Sequence, residues 1–212
     1  MSRRAAPFWG SKNLKLSLMK YSVHRLSNQK AFTLIELMVT MALLVILAAL
    51  AAPALREYAI KSNLRNIGNE FTSSVLRARN EAISKNTCVT MCMSNTTDDA
   101  LPSCKTTDSD WQVGWVAFLN TSCNTAIAGP AAIEDVILLR KSVGDQYYLN
   151  SQAATPRRKL TFNSRGYPGL NNADEFDLVY SAVNDPMTSK YAFNICLDKL
   201  GRTRTISTDS SC

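Results

Sequence analysis

The sequence predicts an α+β protein: one long N-terminal helix, then a small antiparallel β-rich head that carries disulfides. Three observations lead there. A continuous apolar run over residues 32–55 passes without a break into a helical stripe. Beyond Lys85 the texture changes to short β-type runs separated by turn residues. All six cysteines lie in that second part, at positions 88, 92, 104, 123, 196 and 212.

The apolar run comes first in the argument. It reads FTLIELMVTMALLVILAALAAPAL and is interrupted only by two threonines and Glu36. As a helix it would extend roughly 36 Å, enough to cross a bilayer core of about 30 Å. A secretory signal peptide would have a shorter apolar core and would not lead into a helical pattern. From there Ile60, Leu64, Ile67, Phe71, Val75, Ala78 and Ala82 step by three or four residues. That spacing puts one apolar stripe on a helix. The opposite face carries Lys61, Arg65, Glu70, Arg77, Arg79 and Glu81. One helix over residues 32–85 is expected, with Pro53 removing a hydrogen bond and Gly68 as a weaker soft point.

The net charge of +7 suggests a nucleic-acid or membrane-surface binder, but it is unevenly placed. Residues 1–31 hold seven Lys and Arg and no Asp or Glu, which leaves 17 of the 24 basic residues to face all 17 acidic ones. The body is therefore formally neutral. A basic flank before the apolar run keeps the flank in the cytoplasm and sends the C-terminus outward. The only histidine, His24, lies in that flank. The body thus has no imidazole for a Ser-His or Cys-His nucleophile or for a metal site. No paired carboxylates or phosphate-cradling loop stand at recognisable spacing. The reading is of a non-enzyme without cofactor or metal.

In the head, strands are expected over 87–93, 111–119, 133–139, 146–150, 159–163, 176–183, 191–197 and 203–207, with loops at 94–110 and 120–130. Trp111 and Trp115 read as core or sheet-face aromatics. Gly166, Pro168 and Gly169 read as a turn. Six cysteines allow 15 connectivities. Cys88 and Cys92 would stand about 13 Å apart on one strand, too far to bond to each other. A hairpin from that strand to 111–119 suggests Cys92 with Cys104 and Cys88 with Cys123, although the pairing of these four stays open. Cys196 with Cys212 would pin a tail that otherwise frays.

The stretch KAFTLIELMVTMALL resembles the N-terminal signature of type IV pilins and type II secretion pseudopilins. The resemblance implies a prepilin-peptidase cut between Ala31 and Phe32 and N-methylation of Phe32. It also implies that Glu36, fifth in the mature chain, pairs with the N-terminal amine of a neighbouring subunit during assembly. The residue before the cut is usually Gly in that family and is Ala31 here. Further on, RARNEAISKNTCVTMC, WQVGWVAFLN, LTFNSRGYPG and FNICLDKLGRTRTIS resemble in order the landmarks of the GspH/FimT family of minor pilins. The type IV pilin-like fold that this implies has a leader at 1–31, a membrane and assembly segment at 32–55, an amphipathic half-helix at 56–85 and a head at 86–212. Other pilin subunits, the prepilin peptidase and the inner membrane are the implied partners. The implied location is a single pass through the inner membrane with the head in the periplasm, then a pilus at the cell surface.

The tail LDKLGRTRTISTDSS holds Lys199, Arg202 and Arg204, with Gly201 at a turn. In an extended chain Arg202 and Arg204 point the same way, and each guanidinium can fork to a phosphate. Gly201 would let the backbone approach a ligand. By composition alone such a turn is a solvated hairpin. Gly201-Arg202-Thr203-Arg204 nevertheless resembles the GRxR motif with which FimT-type minor pilins contact DNA. That likeness implies sequence-independent binding of double-stranded DNA for uptake in natural transformation. Arg157, Arg158 and Lys159, with Arg165 nearby, would extend the basic surface, or form a solvated strand entry. The competing expectation is a structural minor pilin or type II secretion pseudopilin that primes or caps a filament and binds no DNA.

Overall fold

The computed structural model describes residues 32–212 except Ser109, Ala154, Pro156, Asn171 and Ser189. The expected leader, including Ala31, lies outside the described residues. Helix α1 runs over Leu34–Ser84 and contains Pro53 without ending there. Its start has a local cause. The Thr33 hydroxyl accepts the Glu36 backbone N–H at 3.2 Å, in a Thr-x-x-Glu start signature. Glu36 thereby sits in the first turn, where the positive end of the helix dipole favours a carboxylate. At the other end Asn86 turns left-handed at φ 48°. Its N–H bonds the Ile83 carbonyl at 3.2 Å, and the Thr87 N–H bonds that of Ala82 at 3.1 Å. This pattern satisfies two carbonyls that a helix end leaves unpaired.

The chain divides into two compact units, Met1–Ile46 and Leu47–Cys212. In the first, every described residue is exposed, most of them large and apolar. Helix α1 is long and apolar enough to cross a membrane.

Among its described residues the second unit holds eight strands: β1 (Cys88–Met93), β2 (Gly114–Asn120), β3 (Val136–Lys141), β4 (Tyr147–Ser151), β5 (Lys159–Phe162), β6 (Asp174–Tyr180), β7 (Ala192–Leu197) and β8 (Thr203–Ile206). They form two four-stranded sheets, in the orders β3-β2-β1-β5 and β4-β6-β7-β8. Every pairing is antiparallel. Each expected strand region overlaps one of the eight. β2 and β3 begin three residues later than expected, because Trp111–Val113 and Ile133–Asp135 are single 3-10 turns. Gly114 follows the first of these at φ 119°, where a Cβ would fall 2.6 Å from the Arg140 carbonyl oxygen. Only glycine fits a strand start so close to its neighbour.

The helical stripe from Ile60 to Ala82 is buried, as its spacing requires. Phe71 is its centre. Its ring meets Trp111 at 5.4 Å and Trp115 at 5.5 Å edge-on, and Phe176 at 5.0 Å. Both tryptophans are fully buried, and their indole N–H groups donate to the Arg157 carbonyl and the Ser74 hydroxyl. They are core residues with satisfied polar ends. Gly68 is a packing site: a Cβ there would lie 2.6 Å from the Phe193 ring.

All six residues of β1 are buried, because both faces of this inner strand are covered. Val89, Met91 and Met93 join the main core. Cys92 joins a smaller cluster with Cys104, Val116 and Phe118, packed against Ile127 and Val136. Two disulfides tie loops to this strand, Cys88–Cys123 and Cys92–Cys104, with Cα atoms 5.2 and 5.5 Å apart. Asn120, within a glycosylation-like triplet, is buried and donates to the Thr90 hydroxyl and the Asn124 carbonyl, each at 2.9 Å. It is a structural amide.

Candidate nucleic-acid interface

The C-terminal tail is a hairpin between β7 and β8, closed by the Leu197–Thr203 pair. Asp198 organises its turn. One carboxylate oxygen accepts the N–H groups of Leu200 and Arg202 at 2.9 and 2.8 Å, and the other accepts the Arg202 guanidinium at 2.9 Å. The Gly201 N–H reaches the Asp198 carbonyl at 3.0 Å. Burial pushes the Asp198 carboxyl up, but the bonds from Arg202 and Leu200 outweigh it and hold the group below its ordinary value. Asp198 is therefore charged at neutral pH and offsets the Arg202 charge.

Gly201 stands at the turn and packs against a distant part of the chain. It is buried at φ 75°, and a Cβ would fall 2.7 Å from the Gly166 carbonyl and 3.0 Å from Arg79 Cδ. Its missing side chain makes room for this chain's own backbone at Gly166. Arg202 and Arg204 are both exposed. They line a common concavity of about 450 Å³ with Ala173, Cys196, Asp198, Thr203 and Cys212. The Cys196–Cys212 disulfide, with Cα atoms 5.6 Å apart, returns the end of the tail to β7 beside them. Arg204 lies opposite Cys196 in the β7–β8 pairing. Lys199 is exposed on the turn.

The second basic cluster is turned inward. Arg157 pairs with the buried carboxylate of Asp174 at 2.8 Å. Arg158 donates to the Asp108 carbonyl at 2.6 Å and Lys159 to the Ile127 carbonyl at 2.6 Å. Burial also lowers the pKa of Lys159. All three are half-buried. They fix loops to strands and do not extend an open basic surface. Sequence shows them as three adjacent cations; the carbonyls and the carboxylate that engage them lie elsewhere in the chain.

Sequence sets Arg79 on the polar face of the helix and Arg165 near the second basic cluster; the structure brings both to the turn at 163–167. Arg79 of α1 donates from Nε to the Gly166 carbonyl at 3.1 Å, beneath the turn at 163–167. Arg165, on that turn, is exposed. At the other end of the described chain, Phe32 and Glu36 are exposed. Among the described residues no group of three or more His, Cys, Asp or Glu could hold a metal ion.

Comparisons with known proteins agree with this architecture. The model of the family described as type II transport protein GspH matches residues 68–201. The prokaryotic N-terminal methylation motif matches residues 26–52. No curated protein matches the chain at a significant level. Among solved structures, the Pseudomonas aeruginosa type IV minor pilin FimU superposes with a TM-score of 0.51 at 15% identity, covering 73% of this chain and 96% of that one. The minor pseudopilin EpsH of the Vibrio cholerae type II secretion system gives 0.45 at 9% identity, covering 70% and 99%.

Proposed function

Because this chain belongs to the family of the type II transport protein GspH, we infer that it works as a minor subunit of a filament and captures DNA with its tail. The coarse role follows from the family: a minor pilin or pseudopilin of a type IV pilus or a type II secretion system, with other pilin subunits as partners. The methylation motif and the apolar helix fit membrane anchoring followed by assembly. The reading of the front end is cleavage after Ala31, methylation of Phe32 and pairing of Glu36 with a neighbour's N-terminal amine. It makes residues 32–55 the membrane and assembly segment, 56–85 the amphipathic half-helix and 86–212 the head, which faces the periplasm before assembly.

One observation supports the finer reading. Arg202 and Arg204, separated by Thr203, share one concavity that the Cys196–Cys212 bond closes. A hairpin held in place this way presents its cations with less ordering left to do on binding. The chemistry is phosphate contact with double-stranded DNA, without base readout, as DNA uptake in transformation requires. The second reading is a structural subunit that binds no DNA. The Asp198–Arg202 pair favours it, since half of the arginine pair is already neutralised within the chain.

The test is duplex binding by the full-length protein in non-ionic detergent, across a salt series, beside an Arg202→Gln, Arg204→Gln variant. The basic leader is present in both, so the difference isolates the tail. The expected loss is about 2 in the slope of log K against log salt. Equal binding by the two proteins supports the structural subunit.

A further inference from the structure

We propose that the DNA-contacting surface is composite, and that Arg165, on a turn distant in sequence, contacts phosphate beside the tail. This rests on the DNA-capture reading above and adds a residue that the tail motif does not contain.

Two turns meet in this structure. The turn at 163–167 and the tail turn at 198–201 approach so closely that a Cβ on Gly201 would lie 2.7 Å from the Gly166 carbonyl. Arg165 directly precedes Gly166, and Lys199 stands two residues before Gly201. Arg79 lies against both turns: its Nε donates to Gly166 at 3.1 Å, and its Cδ and Nε would be 3.0 and 3.1 Å from a Gly201 Cβ. One guanidinium thus joins the two turns and leaves a fixed positive charge beneath them.

The turn that carries Arg165 is ordered. The Asn163 carboxamide oxygen accepts the N–H groups of Arg165 and Tyr167 at 3.0 and 3.1 Å. Asn163 and Tyr167 also bond through their backbones at 3.0 Å. The backbone of Arg165 is held while its side chain stays exposed.

Charge compensation separates the cations at these two turns from Arg202 and Arg157. Arg202 is paired with Asp198, and Arg157 with Asp174. Among the described residues, no carboxylate oxygen lies within 4.0 Å of the charged groups of Arg79, Arg165, Lys199 or Arg204. Uncompensated charge is what a polyanion with a phosphate every 1.7 Å or so of axis selects. Two neighbouring turns that each present a cation can engage more than one phosphate, and the forked guanidinium of Arg165 suits that contact.

The experiment compares Arg165→Gln, Arg165→Lys and Arg65→Gln with the wild type. It uses the full-length chain in non-ionic detergent, with a labelled mixed-sequence duplex across a salt series. Arg65 is an exposed cation of α1 and serves as the control for net charge. Arg165→Gln is expected to weaken binding about three- to tenfold at low salt and to lower the salt slope by about 1. Arg165→Lys should recover most of the loss, and Arg65→Gln should bind as the wild type does. Wild-type affinity in Arg165→Gln, with the Arg202→Gln, Arg204→Gln variant still impaired, overturns the composite site and leaves the tail reading intact. Equal affinity of all variants overturns both.

Discussion

Asp198 grips Arg202 twice, at the backbone N–H and at the guanidinium, 2.8 and 2.9 Å away. The same carboxylate that shapes the tail turn therefore opposes its charge. Asp198→Asn retains an oxygen acceptor for the Leu200 and Arg202 amides and removes the negative charge. We expect it to bind duplex DNA about threefold more tightly at low salt, with a steeper salt dependence. Weaker binding by this variant would mean that the ion pair aims Arg202 at the phosphate.

The pH dependence of the turn follows from the same group. Its carboxyl lies below the ordinary value of 3.8 because bonds from Arg202 and Leu200 outweigh burial. A depressed carboxyl stabilises the folded turn above its unfolded pKa, and that contribution is lost as pH falls through the folded value. Amide exchange of Leu200 and Arg202 should be slow at pH 5 and above, relative to intrinsic rates, and lose protection below about pH 4. Protection that is unchanged down to pH 2 would show that the Asp198 carboxylate does not hold the turn.

Gly201→Ala should destabilise the head by about 1–2 kcal/mol, the cost of a left-handed residue with a Cβ, with further loss from the clash at Gly166. Chemical denaturation measures it. A shift below about 0.3 kcal/mol would mean that the two turns separate without penalty.

These residues show where the sequence was readable. The stripe from Ile60 to Ala82 follows from spacing alone, because a helix maps period onto face. Cys88 and Cys92 could be kept apart by strand rise, and the structure joins them to Cys123 and Cys104. Gly201 and Arg157 were harder. A glycine before arginines looks the same whether the approaching atom belongs to a ligand or to Gly166. Three adjacent cations look solvated until Asp174 and the carbonyls of Asp108 and Ile127 are placed beside them. The Thr33–Glu36 helix start is a local polar pair inside an apolar run, where composition points to lipid and not to a cap.

Opening the Cys196–Cys212 bond should loosen the tail. The Cys196→Ser, Cys212→Ser variant is expected to lose several-fold in DNA affinity at a temperature where the head stays folded, and to melt at a lower temperature, since Cys196 stands between the core residues Ile195 and Leu197. Unchanged affinity would show that pairing of β8 with β7 is enough to order the hairpin.

Glu36→Ala is expected to leave membrane insertion intact and to weaken filament incorporation, scored by the amount of the subunit in sheared filaments. Normal incorporation would remove the proposed pairing with a neighbour's amine and leave Glu36 with its place in the first helical turn.

The aromatic cluster has a consequence for biogenesis. Phe71 leaves the ribosome roughly 100 residues before Phe176, its contact in the second sheet. At about 5–20 residues per second, that is some 5–20 s in which the stripe lacks its second sheet. Helix and second sheet must meet late, so a tether or a holding chaperone that keeps the nascent helix from sticking to other chains would raise the yield of folded head.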